Sequence, residues 1–152
     1  MSKREIEREE IRRFLESLKF ENALAITLTM KALSSGQVLD EISAGKNLKH
    51  VLNVINKKIY KNKYTRYKKR LKVFPVLEWS EGAEFHYHLT IERPETISLN
   101  EFKKLFKETW IGSHFGNLSN RFVEINDLSG WNRYITKFDH IRNQVDWENV
   151  AR

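Results

Sequence analysis

Two histidines, His86 and His88, stand one residue apart in a stretch typical of a β-strand, in which the odd-numbered residues from Phe85 to Ile91 are apolar. Successive side chains of a strand point to opposite faces, so both imidazoles share one face, with their Cα atoms roughly 7 Å apart. Imidazoles at this separation can converge on one divalent cation. The spacing predicts two metal ligands, although the same pair also occurs in strands that bind no metal.

The preceding strand supplies a candidate third ligand. A strand is predicted from Leu71 to Trp79, and a short glycine-containing connection to the histidine strand indicates a β-hairpin. If the turn comprises Glu81 to Ala83, Glu78 lies directly opposite His86. Glu84 competes for the same role, since it precedes His86 by one pleat on the same face. A carboxylate with two imidazoles suits Mg²⁺ or Mn²⁺ with open positions at work on phosphate, rather than a closed structural zinc site.

A tyrosine and a lysine near the C-terminal end, Tyr134 and Lys137, suit covalent chemistry on phosphate. A phenol can attack phosphorus while a metal polarises a non-bridging oxygen, and an ammonium group can hold a neighbouring phosphate or favour ionisation of the phenol. Both lie in a helix predicted to begin near Asp127 or Ser129 and to run past His140. They share a side distinct from the apolar stripe of Trp131, Ile135 and Phe138. Taken alone, the pair also fits a buried tyrosine beside a surface lysine.

A strongly basic segment with interleaved tyrosines runs from Lys57 to Lys72 and contains nine Lys or Arg residues. Cations at this density contact phosphates, and aromatic rings between them stack on unpaired bases. The segment equally fits a solvated helix end and loop. The residues predicted to contact DNA are Lys57, Lys58, Tyr60, Lys61, Lys63, Tyr64, Arg66, Tyr67, Lys68, Lys69 and Arg70.

The composition of the whole chain agrees with a polyanionic partner. The 152 residues carry a net charge of +7, with a pI near 9.6, which favours nucleic acid and would also fit an anionic membrane surface. No cysteine is present, which excludes disulfides, thiolate metal sites and cysteine nucleophiles. No apolar run approaches the ~18 residues of a membrane span. We therefore expect a soluble, intracellular protein, cytoplasmic in a prokaryote or nuclear if it comes from a eukaryotic virus.

A scaffold of alternating helices and strands is predicted to position these residues. The predicted elements are a helix over 2–19, a strand over 22–31, a helix over 46–61, strands over 71–79 and 84–92, a helix capped by Ser98 that ends before Gly112, a strand over 121–126 and the last helix. From the first strand to the last, the order is βαββαβ, the α+β arrangement of ferredoxin-like and RRM-like antiparallel sheets. We expect one domain over 1–152, in which an N-terminal helix at the domain edge precedes a catalytic core over 22–141.

Three segments, taken in order, resemble the motifs of the HUH endonucleases, and more closely those of their single-tyrosine initiators of rolling-circle replication. Ala25 to Lys31 (AITLTMK) resembles the first motif, Phe85 to Leu89 (FHYHL) the metal-binding second motif, and Tyr134 to Lys137 (YITK) the catalytic Y-x-x-K motif. The first motif is poorly specific on its own, whereas the ordered set with suitable gaps is distinctive. Together the three frame residues 23–141.

The resemblance implies a central HUH strand, with the tyrosine helix laid against its metal face. It implies that Tyr134 cuts single-stranded DNA at an origin or hairpin site, forms a 5′-phosphotyrosine, frees a 3′-hydroxyl and later rejoins the ends. Lys137 corresponds to the motif lysine, and Thr27 and Thr29 of the first motif are expected among the DNA-binding residues. The ligands implied for a divalent metal, Mg²⁺ or Mn²⁺, are Glu78, His86 and His88.

The chain departs from the pattern of this family in several respects. No G-x-x-x-x-G-K-[ST] phosphate loop of an appended helicase is present, so we expect a separate helicase, DNA that is already single-stranded, or a chain that is a fragment. The tyrosine follows the histidines, unlike the order in relaxases, and the motif lacks the second tyrosine of two-tyrosine initiators. Two further histidines, His114 and His140, have no assigned role.

Three alternatives stay open at the level of the sequence. A basic ferredoxin-like module that binds RNA or single-stranded DNA without cutting it explains the charge and fold, but not a carboxylate, two imidazoles and a Tyr-x-x-Lys together. An HUH transposase acting on a mobile element is the second alternative. His88 and Thr90 also fit the His-x-Thr motif of 2H phosphoesterases, but that chemistry needs a second such motif, which the chain lacks.

Overall fold

A computed structural model describes residues 1–79, 84–138 and 140–152. Helices and strands follow one another largely in the predicted order. The elements are α1 (Lys3–Ser17), β1 (Ala23–Thr29), β2 (Leu33–Ser34), β3 (Gln37–Val38), α2 (Glu41–Tyr60), α3 (Asn62–Tyr67), β4 (Val73–Glu78), β5 (His86–Glu92), α4 (Leu99–Ile111), β6 (Arg121–Glu124), α5 (Leu128–Ile135), α6 (Ile141–Gln144) and a 3₁₀ turn (Trp147–Asn149). None of the helices in the described ranges is long and apolar enough to traverse a bilayer.

Four strands form one antiparallel sheet in the order β4-β5-β1-β6. The strand that carries both histidines, β5, is therefore internal. The predicted α+β class, with an antiparallel sheet compatible with a ferredoxin-like core, is confirmed. The short hairpin of β2 and β3 was not predicted. Its turn residues Ser35 and Gly36 both have positive φ, at 49° and 79°, which suits a tight two-residue connection.

Each face of the sheet is covered by different helices. One face buries alternate residues of the long strands against α2 and α4. The opposite face, which carries His86 and His88, buries Phe74 and Val76 of β4 together with residues of α1, α5 and α6. Because β4 presents these apolar side chains on the histidine face, they need a cover there. The expectation that α1 packs only at the domain edge is therefore wrong, since α1 covers part of this face.

Side-chain caps decide where two of the helices begin. Ser98 caps α4 as predicted, accepting a hydrogen bond from the backbone N–H of Glu101, and the helix ends just before Gly112. By contrast, α2 begins at Glu41, ahead of the predicted start at residue 46. Asp40 accepts from the Ser43 N–H at 2.7 Å, and the Ser43 hydroxyl oxygen accepts from the Asp40 N–H at 2.9 Å. This capping box extends the helix beyond the apolar periodicity that predicted it.

The last predicted helix is divided in two. α5 ends at Ile135, with Thr136 at its C-cap position, so the prediction that the helix runs past His140 is wrong. The hydroxyl of Thr136 donates to the carbonyl of Asn132 at 2.6 Å. Such a side-chain bond gives the backbone an alternative to further helical bonds. The chain returns to helical conformation only in α6.

The C-terminal segment lies along the outer edge of β4. Val73 and Ala151 exchange backbone hydrogen bonds of 2.9 and 3.0 Å, and the Asp146 N–H donates to the carbonyl of Pro75 at 3.0 Å. Proline, which has no N–H, suits an edge strand. The buried Tyr87 hydroxyl donates to Asp146 at 2.7 Å, and burial raises the pKa of Tyr87, so the phenol stays protonated. These contacts fix β4 in place.

Candidate active site

The strand register brings polar residues of two strands together. In the pairing of β4 with β5, Glu78 lies directly opposite His86, as the sequence predicts. His86 and His88 share the β5 face opposite the one that buries Tyr87. The predicted turn, Glu81 to Ala83, lies outside the described residues. The sheet therefore sets one carboxylate and two imidazoles on the same surface.

The Glu78 side chain contacts its diagonal neighbour, His88. Its Oε2 is in contact with His88 Nε2, while His88 Nδ1 lies 3.3 Å from the hydroxyl oxygen of Thr27. A neutral imidazole has one donor and one acceptor nitrogen. If Nε2 donates to the carboxylate, Nδ1 accepts from the threonine hydroxyl, so the ring is held at both nitrogens.

His88 is buried and uncharged at neutral pH. Only 6% of the residue is exposed, and this burial lowers its pKa, although the hydrogen bond and charge of Glu78 act in the opposite direction. The charges of His86 and Lys137 lower the pKa further. Neutral imidazole is the form that binds metal ions.

The donor types around His88 fit a divalent cation, because carboxylate oxygen and imidazole nitrogen are both common ligands. Across residues 1–79, 84–138 and 140–152, no three His, Asp or Glu side chains stand together in ligating positions. The closest arrangement is the contacting pair of Glu78 and His88, with His86 next to Glu78 across the strands. Glu84, the competing ligand, is exposed and precedes β5.

Tyr134 lies in the last turn of α5, over the histidine face. Its ring stacks on Trp131 with centroids 5.5 Å apart and meets the His88 ring edge-on at 5.9 Å. Lys137, just beyond the helix end, places Nζ 3.8 Å from the centroid of the Tyr134 ring, within cation–π range. Tyr134 is 47% exposed, so its side chain is open to a substrate. The structure thus brings Tyr134, Lys137, His88 and Glu78 together.

Trp131 attaches α5 to the sheet, a role that was not predicted. Its indole N–H donates to the hydroxyl of Thr90 at 2.9 Å, and Thr90 is fully buried. The sequence-based interpretation placed Trp131 on a stripe apart from Tyr134, whereas the two rings stack. Their separation of three residues, which brings side chains together on a helix, was the available signal.

An exposed cation on β6, Arg121, also lies on the histidine face and was missed in the sequence. Val76, His88, Thr27 and Arg121 form a row across the four strands, because each is the register partner of the next. With strands ~4.8 Å apart, the backbone of Arg121 is roughly 10 Å from that of His88. The alternation of Arg121 and Val123 with the half-buried Phe122 was the signal that could have revealed this.

The two threonines of β1 have different surroundings. Thr27 contacts His88, as described above. Thr29 is the cross-strand partner of His86, but its hydroxyl donates to the carbonyl of Ser119 at 2.6 Å. Thr27 is therefore the one of the pair whose hydroxyl is directed to the histidines.

The segment predicted to bind DNA lies apart from His88 and Tyr134. It comprises the end of α2, all of α3 and part of the coil before β4. The strand β4 begins at Val73 and reaches the histidine pair only at Glu78, roughly 16 Å further on. Residues 57–70 therefore form a separate basic surface, near the opposite end of the sheet.

The tyrosines of this basic surface differ in how open they are. Lys69 lies 5.3 Å from the centroid of the Tyr60 ring, and the Arg70 guanidinium 5.8 Å from that of Tyr64. Tyr67 is 77% exposed. Of the three predicted stacking residues, Tyr67 is the one whose ring is freely available.

Comparison with known proteins supports a role in replication. The model of a family described as replication-associated protein ORF2 matches residues 23–141, a range that begins at β1 and includes every candidate residue described above. Neither the comparison with curated proteins nor that with solved structures gives a match. Because the family match spans more than half of the sequence, the chain belongs to this family of replication-associated proteins.

Proposed function

We propose that the chain is an HUH-type endonuclease that nicks and rejoins single-stranded DNA, and thereby initiates rolling-circle replication. The observation that carries the proposal is the position of Tyr134, half exposed and edge-on to His88, with the Lys137 ammonium against its ring. Membership of a replication-associated family supports DNA as the substrate.

The reaction transfers one phosphodiester bond from DNA to protein. The hydroxyl oxygen of Tyr134 attacks phosphorus, and the bond from phosphorus to the 3′-oxygen of the preceding nucleotide breaks. The phenol loses its proton and the released 3′-oxygen gains one, so the products are a 5′-phosphotyrosine and a free 3′-hydroxyl. Because the protein–DNA bond is itself a phosphodiester, a 3′-hydroxyl can attack it and rejoin the ends without another energy source.

Lys137 supplies positive charge beside the nucleophile. At 3.8 Å from the centroid of the ring, its ammonium favours the negative charge that the phenol oxygen acquires when it loses its proton. The same ammonium can hold an oxygen of a neighbouring phosphate. Its exposed position leaves it free to make that contact.

Glu78, His86 and His88 would hold a divalent metal, Mg²⁺ or Mn²⁺. The contact between Glu78 and His88, and the position of Glu78 opposite His86, support this assignment. When bound, the metal polarises a non-bridging oxygen of the scissile phosphate. Thr27 orients the neutral His88 ring through Nδ1, as polar groups beside ligating imidazoles commonly do.

The basic surface, residues 57–70, would bind a flanking part of the substrate rather than the scissile phosphate. Its distance from Tyr134 supports this division of roles, and its charge suits contacts with the phosphate backbone. Arg121, Thr27 and Thr29 would contact the DNA nearer the scissile bond, since they lie on β1 and β6 beside the histidines.

An adduct assay tests the proposal. The protein is incubated with Mn²⁺ or Mg²⁺ and a randomised library of labelled single-stranded oligonucleotides, then denatured and separated on a gel. We expect a covalent adduct whose phosphotyrosine maps to Tyr134 by mass spectrometry. Tyr134→Phe should abolish the adduct and retain DNA binding. Tyr67→Phe, the same change at another exposed tyrosine, is the matched control and should retain both.

Two outcomes would contradict the proposal in different ways. An adduct that persists in Tyr134→Phe shows that another residue is the nucleophile. Oligonucleotide binding with no adduct for any sequence favours the non-catalytic nucleic-acid-binding module instead.

A further inference from the structure

The N-terminal helix, which precedes the range of the family match, contacts the end of α5 that carries Tyr134. Arg12 of α1 donates from Nε to the hydroxyl oxygen of Thr136 at 2.9 Å, and from a terminal nitrogen to the carbonyl of Arg133 at 3.5 Å. Arg8, one turn earlier, donates to the carbonyl of Phe138 at 3.3 Å. The three acceptors flank Tyr134 and Lys137 in the chain.

α5 is short, and its C-terminal end needs external partners. It has eight residues, and the last four carbonyls of any helix lack partners within it. The fully buried Thr136 hydroxyl accepts from Arg12 and donates to the carbonyl of Asn132 at 2.6 Å. One hydroxyl thus joins the last turn of α5 to α1. A guanidinium at this end also interacts favourably with the helix dipole.

The other end of α5 is held by the sheet, through the hydrogen bond from Trp131 to Thr90. Tyr134 lies between this attachment and the one at Thr136. The 5.9 Å separation between the rings of Tyr134 and His88 therefore depends on both. Attack on phosphorus requires in-line alignment, and a misplacement of about 1 Å slows such a reaction on the order of 100-fold.

We propose that Arg12 is a positioning residue, which acts through Thr136 to place Tyr134 relative to His88. The N-terminal helix is then part of the catalytic apparatus, although it lies outside the family match. Glu9 contacts Arg12 at 3.3 Å from the preceding turn and holds the guanidinium in this orientation. This inference rests on the proposed function of Tyr134.

Single-turnover kinetics test the positioning role. Arg12→Gln and Thr136→Val are each expected to slow adduct formation at saturating oligonucleotide roughly 10- to 100-fold, with oligonucleotide affinity unchanged. The double variant should be no slower than the slower single variant, because each change removes the same contact. Arg13→Gln, at the exposed neighbouring position of α1, is the matched control and should react at the unmodified rate. An Arg12→Gln variant that reacts as fast as the unmodified protein would overturn the proposal. So would a parallel loss of affinity, because Arg12 would then contact DNA itself.

Hydrogen exchange of the free protein gives a readout that does not depend on nicking. Arg12→Gln and Thr136→Val should accelerate amide exchange over residues 128–138 and leave β5 unchanged, whereas Arg13→Gln should change neither. Unchanged exchange over 128–138 would overturn the attachment of α5 through Arg12. If the unmodified protein forms no adduct, the proposed function fails, and the exchange result decides separately whether Arg12 fixes α5.

Discussion

His88 and Glu78 contact each other diagonally across β4 and β5, although the residue directly opposite Glu78 is His86. The Glu78 side chain is 32% exposed and the His88 side chain only 8%, so the carboxylate extends from the surface to a buried ring. This arrangement distinguishes the two histidines. His88 is held in the protein, whereas His86 is a partly exposed ring beside it.

Glu78→Gln should weaken metal binding without weakening DNA binding. The amide has a similar shape but lacks the charge that attracts a cation. We expect the Mn²⁺ concentration for half-maximal adduct formation to rise on the order of 10- to 100-fold. Metal titrations of the adduct assay measure this change, with metal-free oligonucleotide binding as the reference. Glu84→Gln is the matched comparison, and a larger effect there would assign the third ligand to Glu84.

His88→Ala should destabilise the fold much more than His86→Ala. Removing the buried ring leaves Thr27 and Glu78 without their partner, at about 1–3 kcal/mol of unfolding free energy. His86 is partly exposed, so its loss should change that free energy by less than about 0.5 kcal/mol. Urea unfolding monitored by circular dichroism compares the two. Both variants should lose adduct formation, and equal destabilisation would contradict the separation of roles.

The positions of the histidines and Glu78 could be predicted from the sequence because they follow from short-range rules. The period of two in a strand fixes which residues share a face, and a short hairpin fixes the register. The diagonal contact of Glu78 with His88 could not be predicted in this way. It depends on Thr27, which holds the other side of the ring from a strand distant in sequence.

The end of α5 was mispredicted for a similar reason. The apolar spacing of Trp131, Ile135 and Phe138 continues past the point at which the helix stops. The stop depends on Thr136, whose hydroxyl is shared between Asn132 and Arg12 of a remote helix. Local periodicity carries no information about such a contact.

Thr90→Val should loosen α5 from the sheet. Valine retains the shape of threonine but leaves the Trp131 N–H without its acceptor, which is expected to lower the unfolding free energy by about 1 kcal/mol. Adduct formation should slow as well, since Trp131 supports the ring of Tyr134. Thr90→Ser, which keeps the hydroxyl, is the matched control for the hydrogen bond. If the valine variant is as fast as the serine variant, the bond does not help to place Tyr134.

Among the tyrosines of the basic surface, Tyr67 should matter most for DNA affinity. Stacking of one base on an aromatic ring contributes about 1–3 kcal/mol, and Tyr67 has the freely exposed ring. The Tyr64 ring lies near Arg70, and its hydroxyl donates to Asn53 at 2.9 Å. Fluorescence anisotropy with a single-stranded oligonucleotide should show a larger loss of affinity for Tyr67→Ala than for Tyr64→Ala. The reverse order would show that Tyr64 exchanges its partners for a base.

Arg121→Ala should reduce both DNA affinity and the rate of adduct formation, because its cation lies in the cross-strand row with Thr27 and His88. One lost contact with a phosphate of single-stranded DNA should make the salt dependence of the binding constant shallower by about 0.7 in log–log slope. Arg121→Lys should restore the slope, since it restores the charge. Lys104→Ala removes an exposed cation from α4, on the other side of the sheet, and should leave the slope unchanged. If Arg121→Ala and Lys104→Ala give the same slope and rate, the substrate does not cross β6 beside the histidines.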